Sequence, residues 1–415
     1  MNKKFGMGDL KMSFWGKVMS VSMVLFFVYL GDAILSDWVP AYIQESVGKP
    51  WLMGIIISFS SVVGFVADLF LPQLLKKVSV EKMIVLAIGS SLIFCGLLLW
   101  STYWPAVALF LVAMAVWGVY YEFLGFGGQQ FVSESIPTHF RSGAWAVLGA
   151  FRGLAYFIGP LLGSYLLISK GSVTVVTVST MMVFVGYFFW LLSKKKKSEM
   201  YDDDEKKSIN VFVEAKHWWY LLRFVWPVVV LSLSMGLLDS TFWTTGTVLS
   251  DNLARTSSWG GFFLPLYELP MVIMGVVVAK WGIYKGKKKM AESFMLLAGI
   301  LLTGIYFTDS VILLLMISFL VGMATSVCWP LRDAVYSDLV SRMGFGGKHM
   351  IGLSGSTISL AYIVGPVVAG GLATYFGEKE AFVIVGAFLI LVSVFLLLVT
   401  PKKLRLPETE IESWN

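Results

Sequence analysis

Long apolar runs separated by short polar breaks fill almost the whole chain. Twelve of them approach or exceed the roughly 20 residues that a helix needs to cross a hydrocarbon core of about 30 Å. In the first half they lie near 16–42, 52–75, 83–101, 105–131, 142–168 and 173–192. In the second half they lie near 221–249, 259–282, 290–308, 311–334, 350–376 and 381–399. Backbone facing lipid must satisfy its own hydrogen bonds, and runs this long and this continuously apolar do so as helices. The predicted class is an all-α membrane protein with twelve transmembrane helices in two six-helix bundles. Residues 1–192 make the first bundle, 193–220 a central linker, 221–400 the second bundle and 401–415 a tail. The basic start (Lys3, Lys4, Lys11) runs into a span too long for a signal h-region, so no cleavable signal is expected.

Composition agrees with the pattern. Of 415 residues, 57% are hydrophobic and only 14% are charged, about half the charged share of a soluble domain. The positions of the bases matter more than their number. With both termini placed in the cytoplasm, 26 of the 32 Lys and Arg fall in cytoplasmic segments and four on the opposite side, leaving Arg152 and Arg332 inside spans. That asymmetry is the positive-inside signal, and it assigns the basicity to topology, so no nucleic-acid partner is expected. The linker holds Lys194 to Lys197, then Asp202 to Glu205, then Lys206 and Lys207; its expected work is connection, although such a run can also touch anionic lipid. Cys95 and Cys328 sit in apolar runs and form no disulfide framework.

The second half repeats the first. Leu154-Ala-Tyr-Phe-Ile-Gly159-Pro160 returns as Leu360-Ala-Tyr-Ile-Val-Gly365-Pro366, 206 residues later. Asp32 matches Asp239 at an offset of 207, and Gly118 with Glu134 matches Gly322 with Asp338 at 204. Gly64, four residues before Asp68, corresponds to Gly275 at 211. Ordered matches at a nearly constant offset make the chain two homologous six-helix halves, the architecture of carriers that enclose a midplane site between repeats.

The segment Ser133-Glu134-Ser-Ile-Pro137-Thr-His-Phe-Arg141-Ser-Gly143, leading into Gly159-Pro160, resembles the fourth-to-fifth helix region of the major facilitator superfamily. Gly64-Phe-Val-Ala67-Asp68 is similar to that family's loop signature, although Leu69-Phe-Leu-Pro72 follows where the family continues into an Arg and a basic cluster. The drug-exporter Arg of the fourth helix is absent, its place falling near Met114. The resemblance implies a pseudo-symmetric bundle whose helices one and seven line a cavity. It also implies that Asp68 makes an interhelical contact stabilising the outward-facing state. Gly64, Asp68, Glu134, Arg141, Gly159, Pro160, Gly365 and Pro366 are expected to be conformational elements. The Gly-Pro element is similar to a signature of proton-coupled antiporters.

A charge at membrane depth costs about 2.5–3.5 kcal/mol on insertion scales, which makes each one a functional candidate. Asp32, Glu122, Arg152, Asp239 and Glu268 lie well inside spans. Glu122 and Arg152, each about three turns from the loop joining helices four and five, are expected to form an ion pair. Asp32, Glu122, Asp239 and Glu268 are candidate proton-coupling groups, since carboxyl groups withdrawn from water can load and release protons. Arg152 could bind an anionic or hydroxyl-rich solute, with Trp38, Tyr42 and Trp243 stacking on it. Arg332 and Asp333 fit gating or simple solvation at the membrane surface. A structural role competes at every position: a pair that only ties two helices, or an acid capped by hydroxyls.

No Gly-Lys-Ser/Thr phosphate loop is present, and no Ser/His/Asp arrangement is supported by spacing, so neither ATP-driven pumping nor enzymatic catalysis is expected. His139, His217 and His349 lie far apart in sequence, and no metal site is expected. The expected function is secondary active transport of a small organic solute by alternating access. It is expected to be coupled to a proton gradient and to need no cofactor, with export of a drug-like compound or metabolite ahead of import. The alternatives are a proton-coupled importer of a sugar or organic acid, and a non-transporting sensor on a carrier scaffold. The expected partners are the solute and the lipid bilayer; the expected setting is a monomer in the plasma (inner) membrane with both termini cytoplasmic.

Overall fold

The computed structural model describes residues 7–48, 50–74, 79–193, 211–257, 259–401, 404 and 406. Among them run twelve long helices: α1 Met7–Val47, α2 Pro50–Leu74, α3 Val80–Ser101, α4 Val107–Ser135, α5 Arg141–Lys170, α6 Ser172–Ser193, α7 Val211–Thr256, α8 Phe263–Trp281, α9 Lys287–Thr303, α10 Val311–Met343, α11 Gly347–Phe376 and α12 Glu378–Val399. All twelve are long and apolar enough to cross a membrane. Each apolar run of the sequence falls on one of them, in order, with ends that differ by up to ten residues. Several helices continue past the apolar stretch, because a helix keeps its own hydrogen bonds in the interfacial layer as readily as in lipid. The clearest case is α7, which starts at Val211 inside the stretch read as linker. The charged segment 194–210 and nearly all of the tail lie outside the described residues.

The up-and-down order places the ends of α6 and α12 and the starts of α1 and α7 on one face, here termed the linker face; the other is the distal face. Within the first half α1 packs on α5 and α6, and α3 on α4; in the second half α7 packs on α11 and α12, and α9 on α10. These are the same pairs displaced by six helices. The halves meet through α2 against α11 and α5 against α8, again one pairing used twice. Large apolar side chains such as Phe188, Leu192, Val276, Leu391 and Leu398 stand exposed on the outside. Exposure on that scale in a soluble protein would be an aggregation surface, whereas here lipid tails cover it.

The repeated Gly-Pro elements explain how the inner helices approach one another. A Cβ on Gly159 would lie 2.8 Å from the Ala33 carbonyl carbon and 3.0 Å from the Ile34 nitrogen of α1. A Cβ on Gly365 would collide with the Ser240 side chain of α7. In both halves the bare glycine seats its helix beside the residue that follows the repeated aspartate, Asp32 or Asp239. Pro160 and Pro366 lie inside α5 and α11, which stay continuous through them.

Candidate functional site

The repeated aspartates sit at the centre of each half, and each accepts a hydrogen bond from the tyrosine of the repeated Leu-Ala-Tyr segment. Tyr156 of α5 donates to Asp32 Oδ2. Tyr362 of α11 donates to Asp239 Oδ2. Around this shared pair the halves differ. Asp32 also accepts from Trp117 Nε1 at 2.6 Å and from the Tyr121 hydroxyl at 2.6 Å, both on α4. The Tyr121 and Tyr156 hydroxyl oxygens lie 2.8 Å apart, each with its one proton directed to Asp32. Asp239 receives one further donor, the Tyr267 hydroxyl of α8 at 2.8 Å. Instead of a third donor it has a second acid: Glu268, next to Tyr267 in α8, lies within Coulomb reach of Asp239 and hydrogen-bonds Trp243 of α7. The Trp243 ring meets Tyr156 edge-on at 6.4 Å, so the two centres touch across the boundary between the halves.

Arg152 stands between them. Its guanidinium carbon lies 5.7 Å from the Tyr29 ring centre and 5.5 Å from that of Tyr156, within cation–π range. Asp32, Asp239 and Glu268 all lie within its Coulomb reach. Protein surrounds it, yet its side chain is solvent-accessible. A mid-helix side chain with both properties faces an internal chamber. Tyr29, Trp117, Tyr121, Tyr156, Trp243, Glu268 and Tyr362 are each partly accessible at the same level.

The expected Glu122–Arg152 ion pair does not form. Glu122 instead accepts a hydrogen bond from Ser359 Oγ of α11 at 3.2 Å, and its carboxyl group meets that of Asp68. The reason is azimuth. Helix α4 packs on α2 and α3, whereas α5 packs on α1 and α8. Their similar depths therefore place the two charges on diverging faces. Asp68, fully buried, accepts from Ser356 Oγ of α11 at 3.0 Å, so α11 grips a pair of acids from α2 and α4. Gly64 leaves the room: a Cβ there would lie 2.7 Å from Glu122 Oε1.

The remaining candidates scatter. Arg141 joins the halves at the linker face, donating to Asp338 Oδ1 at 2.9 Å and to the Ser337 carbonyl at 3.1 Å. Lys287 reaches the other Asp338 oxygen at 2.7 Å and the Thr138 carbonyl at 3.1 Å. Glu134, the repeat counterpart of Asp338, is exposed and, among the described residues, bonds only its own helix through Gln130. Arg332 is buried within the second half rather than at the membrane surface, donating to Asp333 at 2.5 Å and to Ser232 Oγ at 2.8 Å; it also lies over the Tyr336 ring at 4.7 Å. Trp38 and Tyr42 stack on each other at 4.6 Å in the apolar core of the first half, toward the distal face. His217 and His349, distant in sequence, have ring centres 4.5 Å apart, because α7 and α11 pack as α1 and α5 do. The tyrosines that cap both acids are what reading the sequence missed. Their signal was present in the second copy of Leu-Ala-Tyr.

Comparison with known proteins agrees with this architecture. The family model of the Major Facilitator Superfamily matches residues 4–159, 126–340 and 228–414. An Na(+), Li(+), K(+)/H(+) antiporter of Planococcus maritimus is 25% identical over 180 residues. That match covers 43% of this chain and 42% of the antiporter, so the chain spans less than half the length of this curated relative. The human organic anion transporter MFSD10 superposes with a TM-score of 0.69 at 16% identity, covering 92% of this chain and 98% of that one. The transporter FucP in its outward conformation gives 0.70 at 13% identity, over 94% of this chain and all (100%) of its own. Another structure of FucP, the E. coli fucose:proton symporter, gives 0.70 at 14% identity with the same coverage, 94% and 100%. At these identities the likeness is one of fold.

Proposed function

Because the chain belongs to the Major Facilitator Superfamily, a family of multi-pass membrane transporters for small molecules, we propose that it couples movement of a small organic solute to protons through the site around Arg152. One observation carries this reading: Asp32, Asp239 and Glu268 all lie within Coulomb reach of the accessible Arg152 guanidinium, whereas Asp333, also within its reach, is already paired with Arg332. Charges withdrawn from water are costly unless neutralised. The Asp32 carboxylate, with its three donors, balances Arg152. The second-half acids then have no cation of their own, and protons supply the balance. Solute binds against Arg152, Tyr156 and Trp243, with the tyrosine and tryptophan rings as its walls. The protons reside on Asp239 and Glu268. The halves rock about this centre, and each ligand drives the change only so far as it binds the two states differently.

Export of a drug-like compound or metabolite is the favoured direction, supported by the Gly-Pro elements. The Lys and Arg distribution supports a linker face turned to the cytoplasm; the setting we infer is the plasma membrane, with the chain working as a monomer. The linker-face contacts of Arg141, Lys287 and Asp338 would then keep the site closed to the cytoplasm. A second reading, exchange of an inorganic monovalent cation for protons, is favoured by the surplus of acids together with the antiporter relative.

A thermal-shift screen of the purified chain against metabolites and drugs tests the site, since stabilisation grows with ligand concentration over Kd. The reading expects an organic hit that Arg152→Ala abolishes, and pH-driven flux of that compound in liposomes. Stabilisation by Na+ or K+ alone, retained in Arg152→Ala, would favour the second reading. Flux of the hit that ignores the pH gradient would overturn proton coupling.

A further inference from the structure

We propose that Glu214, His217 and His349 form a binding site for a divalent transition-metal ion, Zn2+ being the probe. It would lie at the linker end of the second half, away from the transport centre. One potential ligand atom from each residue lies within 4.8 Å of the other two. The Glu214 carboxyl is fully buried and His349 nearly so. His349 Nδ1 faces both Glu214 oxygens, at 2.9 and 2.8 Å. The His217 ring meets that of His349 edge-on at 4.5 Å between centres.

The helices make the arrangement natural. Glu214 and His217 are one turn apart on α7, the i, i+3 spacing by which a Glu-x-x-His pair projects two ligands from one helix face. The third comes from the first turn of α11, the helix packed against α7. Two imidazoles and a carboxylate form a donor set suited to Zn2+ and its first-row neighbours, and unsuited to Ca2+ or Mg2+, which take oxygen ligands. Around a tetrahedral zinc with bonds of about 2.0–2.2 Å, ligand atoms stand about 3.3 Å apart. The oxygen–nitrogen approach here is shorter by about half an ångström, and the widest separation of 4.8 Å is longer. Small side-chain rotations of both kinds would close the site, with water as the fourth ligand. The ion takes the place of the hydrogen bond between Glu214 and His349, bound by a neutral imidazole nitrogen of each histidine and a carboxylate oxygen of Glu214. Lys216 and Lys348 lie within Coulomb reach of His217 and oppose a dication, so direct coordination must supply the affinity. By tying α7 to the first turn of α11, the ion would brace the helix whose Ser356 and Ser359 hold Asp68 and Glu122.

The test uses the purified chain, stripped with chelator and titrated with ZnCl2 by calorimetry. One Zn2+ per chain is expected. Thermal stabilisation should follow, and Co2+ should develop the intense visible bands of a low-coordinate site. His217→Ala and His349→Ala should each weaken binding by at least about tenfold, the scale reached even by losses outside the ligand shell. Lys216→Ala should bind at least as tightly as the wild type. If His349→Ala fails to fold, half-buried His217 decides the question alone. No saturable site, or equal Zn2+ affinity in wild type and folded His217→Ala, would overturn the assignment. Neither result depends on whether solute transport is observed.

Discussion

Asp32 and Asp239 occupy the same place in the two repeats, yet their surroundings have diverged. Both are bonded by the tyrosine of Leu-Ala-Tyr, and both sit where a Gly-Pro helix presses closest. In the first half α4 adds Trp117 and Tyr121, so Asp32 has three donors and Arg152 nearby. In the second half the added residues come from α8, and one of them is another acid, Glu268. A carboxylate with a full set of donors keeps its charge at little cost, whereas two carboxyl groups sharing one site cannot both ionise cheaply. Duplication supplied two equal acids. On the proposed reading, the flanking helices assign one to hold charge against the solute and the other to hold a proton.

That division can be broken most directly by neutralising the second-half acids. Asp239→Asn combined with Glu268→Gln should remove pH-driven flux, a loss of at least about tenfold on the scale of a missing proton-transfer group. Solute-for-solute exchange across liposomes at equal pH should persist. Pure exchange lost along with driven flux would merge the two roles. Next in size is Arg152→Ala. Losing a charge-assisted hydrogen bond worth about 1.5–3 kcal/mol should weaken solute binding about 10- to 100-fold, read by the shift in the thermal-stabilisation midpoint.

The tyrosines sharpen the contrast further. Tyr362→Phe leaves Asp239 one donor and should slow driven flux by about tenfold, the upper end of the range for one ordinary hydrogen bond. Tyr156→Phe leaves Asp32 two donors and should cost under about threefold, at the low end of the range for one hydrogen bond. Equal effects would mean that the extra donors on α4 are irrelevant. The smallest difference is mechanical. Gly159→Ala drives a methyl into the Ala33 Cβ and the α1 backbone, while Gly365→Ala meets the Ser240 hydroxyl, which can turn away, and the Ser240 Cβ at 2.8 Å, which cannot. The first should lower thermal stability more, within the roughly 1–3 kcal/mol typical of overpacking.

Most of the architecture was legible in the sequence because hydropathy fixes spans and a constant offset fixes the repeat. Depth was legible too, since counting turns from a loop gives height in the membrane. Azimuth was not. Glu122 and Arg152 share a level and still point to different neighbours, because apolar runs facing lipid and protein on all sides carry little helical asymmetry from which to orient them. For the same reason Trp38 and Tyr42, near Asp32 in sequence, turn into the core of the first half instead of the chamber. The start of α7 was hidden by its charges: Glu214, Lys216 and His217 read as linker, although Glu214 is buried against His349. Pairs made by helix packing alone, such as His217 with His349, leave no trace in spacing. The Asp–Tyr pairs did leave one, because a residue that survives at the same offset in both repeats marks the same contact twice.

Infrared spectroscopy of the carboxylic acid C=O band tests the division between the halves most directly, since it detects bound protons without any knowledge of the solute. In the purified chain at neutral pH, Asp239→Asn/Glu268→Gln should diminish the protonated-carboxyl band, while Asp32→Asn should leave it unchanged. A band reduced by Asp32→Asn and untouched by the second-half substitutions would contradict the account.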